Sequence, residues 1–160
     1  VLVFELSGKQ FCADIRDVYG FLDLSNFGRN KMFTLSKKTY LKYCSQRIPL
    51  LNLHQIFKLS RYESTEDARM LFLEHKGNKI CFLTDRIVEF IAFGDRLARH
   101  KILTNSENYL PADKIHFDNK TFLYPHYSKI INGWKNVKSP KKIKIMKRRG
   151  DMPVKNSLPP

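Results

Sequence analysis

The sequence predicts a mainly β protein, two similar small subdomains with short helices, and three observations carry that expectation. Apolar residues fall in short runs bounded by turn residues, without the long stretches of helical spacing that an α protein needs. A strand–turn–strand pattern followed by a further strand occurs at the N-terminus and again after residue 68. The two copies align at a shift of 69 positions, so neither reads as an isolated hairpin.

In chain order, residues 1–6 are apolar with one acid, Ser7-Gly8-Lys9-Gln10 reads as a turn, and residues 11–15 resume the strand pattern. Residues 18–24 form a further extended segment. Residues 26–38 are polar and contain Gly28, so a loop is expected there. Residues 48–51 read as a buried strand with Pro49 at its start, where a missing N–H does least harm. Leu53, Ile56, Phe57 and Leu59 then follow helical spacing for about one and a half turns. A charged loop is expected over 60–67. Residues 70–74, Lys76-Gly77-Asn78 and residues 80–83 give the second hairpin, continued by 87–93. A third hairpin is expected over 115–124, and a helical turn or two over 127–134.

At the 69-residue shift Leu2 meets Leu71, Glu5 meets Glu74, Gly8 meets Gly77, Cys12 meets Cys81 and Phe21 meets Phe90. Val18 and Ile87, Leu22 and Ile91, and Leu24 and Phe93 stay apolar. A one-residue slip would turn every side chain to the other face, so a shared register of turn glycine and apolar positions is what a repeated unit requires. Each unit is too small to stand alone. Two β-subdomains packed around a joint core are expected.

With 160 residues, 42% of them hydrophobic and 12% aromatic, the chain can bury a core of its own, which excludes global disorder. No apolar run approaches the roughly 20 residues of a membrane helix. Residues 1–6 lack a basic n-region and a small-residue cleavage site, so they do not read as a signal peptide. Position 1 is Val, as in a trimmed or processed chain. The net charge of +14 is uneven: nine of the 29 Lys and Arg, and one of the 15 acids, fall from residue 133 onward. That stretch carries +8 and leaves +6 to residues 1–132. The expected organisation is a folded unit over 1–134 and a basic, flexible tail over 135–160. Such a tail suits electrostatic contact with a membrane or an acidic partner.

The residue types point away from an enzyme. His54, His75, His100, His116 and His126 are scattered and read as surface histidines, so no metal and no cofactor is expected. Three cysteines without a C-x-x-C pair indicate a reducing compartment, the cytoplasm. Cys12 and Cys81 sit among apolar strand residues, without the helix N-terminus or neighbouring base that activates a thiol, and read as core. Cys44 has polar neighbours and is expected to be exposed. No phosphate loop, G-x-G-x-x-G or G-x-S-x-G is present. The close carboxylates, Asp14 with Asp17, Glu63 with Asp67 and Asp85 with Glu89, read as solvated surface acids. Residues 37–43 interleave Lys with Tyr, a texture of single-stranded nucleic-acid binding and equally of an exposed strand. A basic β-barrel binding nucleic acid is therefore the alternative function, marked by a contiguous basic face and salt-sensitive affinity.

Three stretches resemble the CheW family of chemotaxis adaptors. Residues 11–21, with Asp14-Ile15 and then Val18, are similar to the family's first motif. Residues 48–59, with Pro49-Leu50-Leu51-Asn52-Leu53 and Phe57-Lys58-Leu59, are similar to its Pro-apolar-apolar-Asp-Leu…Phe-Gly-Leu segment. Residues 68–93 are similar to its second hairpin with the Asp-x-Val element, here Asp85-Arg86-Ile87. The resemblance implies two intertwined five-stranded β-barrel subdomains and a non-enzymatic adaptor. Its implied partners are the cytoplasmic tip of a chemoreceptor and the regulatory domain of a CheA-type histidine kinase, in arrays at the inner membrane face. Val18, Gly20 and Phe21 would line the receptor groove with Ile48 and Pro49 nearby, and Ile87 and Phe90 are their counterparts in the second subdomain. The chain departs from the family in three places. Cys44-Ser45 stands where Arg-Gly is usual, Gly20 replaces a usual Glu, and Lys58 replaces a common Gly.

Overall fold

Two turns of the same shape start the fold. Ser7 and Gly8 have φ of 49° and 75°, and Lys76 and Gly77 have 49° and 76°, the paired left-handed geometry that matches the twist of tight antiparallel hairpins. They join β1 (Leu2–Leu6) to β2 (Lys9–Ala13) and β7 (Arg69–His75) to β8 (Asn78–Thr84). The registers agree at the 69-residue shift: Val3 faces Cys12 in one hairpin, and Phe72 faces Cys81 in the other. The strand after each hairpin then leaves it. β3 (Val18–Asp23) pairs with β7, and β9 (Arg86–Phe90) pairs with β1, so the halves exchange a strand. Phe21 faces Leu71 and Phe90 faces Leu2, again equivalent positions.

The computed structural model describes residues 1–24, 31–60, 65–92, 111–117 and 119–137. Within them the repeat continues past the part read from the sequence, now at a shift of 74. The hairpin of β5 (Lys38–Tyr43) and β6 (Gln46–Leu51) matches that of β10 (Ala112–Phe117) and β11 (Lys120–Pro125), with identical burial along both strands. Leu41 faces Ile48 as Ile115 faces Phe122. β6 then runs parallel to β8, and β11 parallel to β2. Helices α1 (Leu53–Ile56) and α2 (Tyr127–Asn136) start at equivalent residues. An additional strand, β4 (Met32–Leu35), extends the second sheet. The sheet orders are β10-β11-β2-β1-β9 and β3-β7-β8-β6-β5-β4.

Four expectations need correction. The segment expected as a loop over 26–38 holds β4 and the start of β5, because alternating Met32–Leu35 side chains pair with β5. The sheets have five and six strands in open linear order, so the five-stranded barrels are barrel-like sheets whose edge strands stay unjoined. Pro49 lies inside β6, not at its start; it faces Tyr40 on one side, and pairing with β8 begins only at Leu50, so its missing N–H disrupts no ladder position there. Helix α2 runs to Asn136, two residues beyond the helical turns expected over 127–134. The rest of the basic tail, from 138 on, lies outside the described residues.

The core repeats the logic of the strands. Leu2 with Leu71, Phe4 with Leu73, Phe11 with Ile80 and Leu53 with Tyr127 are equivalent pairs that share one central cluster. Each sheet also curls over a cluster of its own. Leu41, Ile48, Phe72 and Cys81 fill one, and their counterparts Ile115, Phe122, Val3 and Cys12 fill the other. The central cluster draws on both halves, so neither half has a complete core without its neighbour.

Candidate partner-binding surfaces

Among the described residues, strand exchange leaves β3 and β9 each with one neighbour, at the edge of a sheet. An edge strand offers unpaired backbone N–H and C=O groups, a template that partners use unless it is blunted. Both edges carry an exposed aromatic at the same repeat position: Phe21 is 46% exposed and Phe90 58%. Tyr19, also exposed, packs on Phe72 with ring centroids 5.6 Å apart, and the Lys79 ammonium lies 5.7 Å from its ring centroid. Val18 and Ile87 are half-buried against the central cluster and anchor each edge to the body. Gly20 sits at a register shift between Val18 and Gly20; a side chain there would meet nothing within 4 Å. Its counterpart Glu89 binds Lys120 at 2.9 Å.

The structure brings Val18, Gly20 and Phe21 together on β3, and Ile87 and Phe90 together on β9. Ile48 and Pro49 stand apart on β6, an inner strand. Ile48 is 2% exposed and packed in the second sheet's own cluster, so its side chain has no surface to offer a partner. Pro49 is half-buried.

Histidines and carboxylates expected on the surface instead tie the exchanged strands in place. Asp85, in the turn before β9, accepts from His54 Nε2 at 2.9 Å and from the Ser7 backbone N–H. Asp17, in the turn before β3, lies 2.6 Å from His75 Nδ1, and His75 Nε2 lies 3.1 Å from Ser128 Oγ. Ser128 and His54 are equivalent positions on their helices, so each helix start is fastened to the turn that launches an exchanged strand. The Ser128–His75–Asp17 chain has the bond order of a hydrolase relay, but it fills the structural place that His54–Asp85 fills in the other half. His54 is buried at 4% exposure, which requires the Asp85 partner. Spacing could not reveal these pairs, since they join residues 31 and 58 positions apart.

Other groups follow their surroundings. Burial pushes the Cys12 and Cys81 thiols up to about 12, so neither is poised as a nucleophile. Cys44 is exposed. Hydrogen bonding to Arg16 holds the Asp14 carboxyl below its usual range. Burial raises Tyr124 to about 12 and Tyr127 well above its ordinary value; the Tyr127 hydroxyl donates to the Cys12 carbonyl at 3.2 Å.

The departures from the family pattern have local consequences. Cys44 and Ser45 form the β5–β6 turn with φ of 47° and 61°, and Lys58 ends the α1 region with φ of 52°. Ser45 and Lys58 thus hold, with side chains, the left-handed geometry that the usual glycines adopt freely.

Comparison with known proteins agrees with this architecture. The sequence matches the family model described as CheW-like domain over residues 1–130. No curated protein matches it significantly. Among solved structures it is similar to the scaffolding protein TtCheW from Thermoanaerobacter tengcongensis. That match has a TM-score of 0.58 and 17% identity, covering 77% of this chain and 85% of that one. The exchanged strands, the repeated hairpins and the family match over most of the chain lead to one assignment: the chain belongs to the CheW-like family of chemotaxis adaptors.

Proposed function

We propose that this protein is a non-enzymatic scaffold that joins the cytoplasmic tip of a chemoreceptor to the regulatory domain of a CheA-type histidine kinase, in the cytoplasm beside the receptor array. The observation that carries it is the pair of equivalent edge strands, each with an exposed phenylalanine, at opposite sheets of one interlocked body. A scaffold needs two docking edges that keep a fixed relation, and strand exchange supplies that rigidity. Phe21, braced by Val18, serves the receptor; Phe90, braced by Ile87, serves the kinase. Affinity in such contacts rests on a few aromatic anchors surrounded by near-neutral contacts.

Immobilised receptor-tip and kinase fragments test this. Phe21→Ala is expected to weaken receptor retention by about tenfold or more and to spare the kinase, with the reverse for Phe90→Ala. Neither substitution changes the core, since both rings are exposed. Loss of neither partner, or equal loss of both from either change, overturns the assignment.

A further inference from the structure

Trp134 of α2 is the common wall of two clefts. The larger, about 480 Å³, has an apolar floor of Leu50, Ile56, Ile130 and Val137 and carries Lys37, Lys38 and Lys129. The smaller, about 310 Å³, carries Arg47, Lys79 and Lys135. No carboxylate lines either cleft, and none of the six cations forms an ion pair among the described residues. Their polar contacts are to neutral groups: Lys38 donates to the Lys135 carbonyl at 2.8 Å, Lys79 to Gln46 at 3.3 Å and Lys135 to Asn78. Glu74 faces Lys79 across the β7–β8 pair without bonding to it.

The repeat shows that the fold does not need this charge. The larger cleft holds both members of three equivalent pairs, Ile56 with Ile130, Gln55 with Lys129 and Pro111 with Lys37, so it lies on the approximate two-fold relating the halves. The counterparts of Lys37, Lys38, Arg47, Lys79 and Lys129 are Pro111, Ala112, Thr121, Gln10 and Gln55, all neutral, while that of Lys135 is Arg61. Five of the six cations on one side of a near-symmetric site thus face neutral counterparts on the other. Like charges gathered around an apolar wall repel one another, and no carboxylate of either cleft lining offsets that repulsion.

We propose that the two clefts form a docking site for an acidic protein segment with an apolar anchor, its carboxylates meeting the six cations and its anchor lying against Trp134. An apolar centre with a charged rim is the anatomy of a peptide groove. Nucleic acid fits less well, because base stacking needs free ring faces. The Lys38 ammonium sits 4.8 Å from the Trp134 ring centroid, and Phe33 stacks on Tyr40 at 5.6 Å. A flat anionic bilayer does not enter a concave cleft. The site is separate from the edge strands and does not depend on the receptor or kinase assignment.

Trp134 is the sole tryptophan, so its emission reports the site directly. The full chain is titrated with a synthetic peptide carrying a Leu-Phe pair flanked by glutamates. Saturable binding with a change in Trp134 emission is expected, and the double variant K37E/K129E should weaken it by about tenfold or more. The control K9E/K58E changes net charge equally at exposed positions outside both clefts and should leave affinity within about twofold. The basic tail is present in every variant, so it cannot account for a difference between them. Equal losses in the two double variants, or no emission change, overturn the proposal. So does tighter, K37E/K129E-sensitive binding of an oligonucleotide or of phosphatidylserine vesicles, which assigns the clefts to phosphate. The Phe21→Ala and Phe90→Ala variants should bind the peptide as the parent does, so failure of the scaffold assignment stays distinguishable.

Discussion

Ser45 and Lys58 show how much a family pattern says about backbone once φ is known. Both sit in the left-handed region, which costs an L-residue about 1–2 kcal/mol, while glycine loses roughly 0.5–1 kcal/mol more chain entropy on folding. The balance favours glycine, so Ser45→Gly and Lys58→Gly are each expected to stabilise the protein by about 0.5–1 kcal/mol, read as a higher denaturation midpoint at unchanged m. The absent glycines were legible in the sequence; the strain at the residues replacing them was not, because it belongs to φ. The same gap separates the readable from the unreadable at the proposed docking edges. Phe21 was expected there from the family resemblance and Phe90 as its repeat counterpart, and both are exposed. Ile48 looked the same in type, yet strand order buries it between β5 and β8.

Each exchanged strand is held at its start by a carboxylate, and the hold can be released one strand at a time. Asp85→Ala removes the hydrogen bonds that Asp85 accepts from the Ser7 N–H and from Nε2 of the buried His54. That should cost about 2–3 kcal/mol, with faster amide exchange concentrated in β9 and its neighbour β1. Sequence periodicity found the first hairpin of each half and the strand that follows it, because identities and the turn glycine survive there. The second hairpins went unmatched. Of the pairs aligned at the 74-residue shift, from Lys38 and Ala112 to Phe57 and Ile131, only Ile56 and Ile130 are identical. Burial kept its pattern while residue types drifted, and a five-residue change of shift moved the two parts of the repeat out of a single alignment. Residues 26–38 failed for another reason: β4 is a four-residue, partly exposed edge strand, and the polar residues on either side of its short apolar run mimic a loop.

For the molecule as a whole, the shared central cluster and the exchange predict one cooperative unfolding transition. Cys12 and Cys81 report it, since one lies in each sheet's own cluster and burial keeps both thiols protonated at neutral pH. Under rising denaturant, alkylation with mass detection should label Cys44 at once, then Cys12 and Cys81 at the same midpoint; separate midpoints would mean that the halves open independently. The exchange has a further consequence. Were the chain severed between its halves, each piece would lack the third strand that the other holds, and the pieces could be completed only by each other, as in a domain-swapped dimer. A dimer of identical halves must show every surface twice. Covalent fusion removes that obligation, and this chain uses the freedom: one side of a repeated frame has gathered six cations, five of them at positions whose counterparts are neutral, so a symmetric frame has acquired a front and a back.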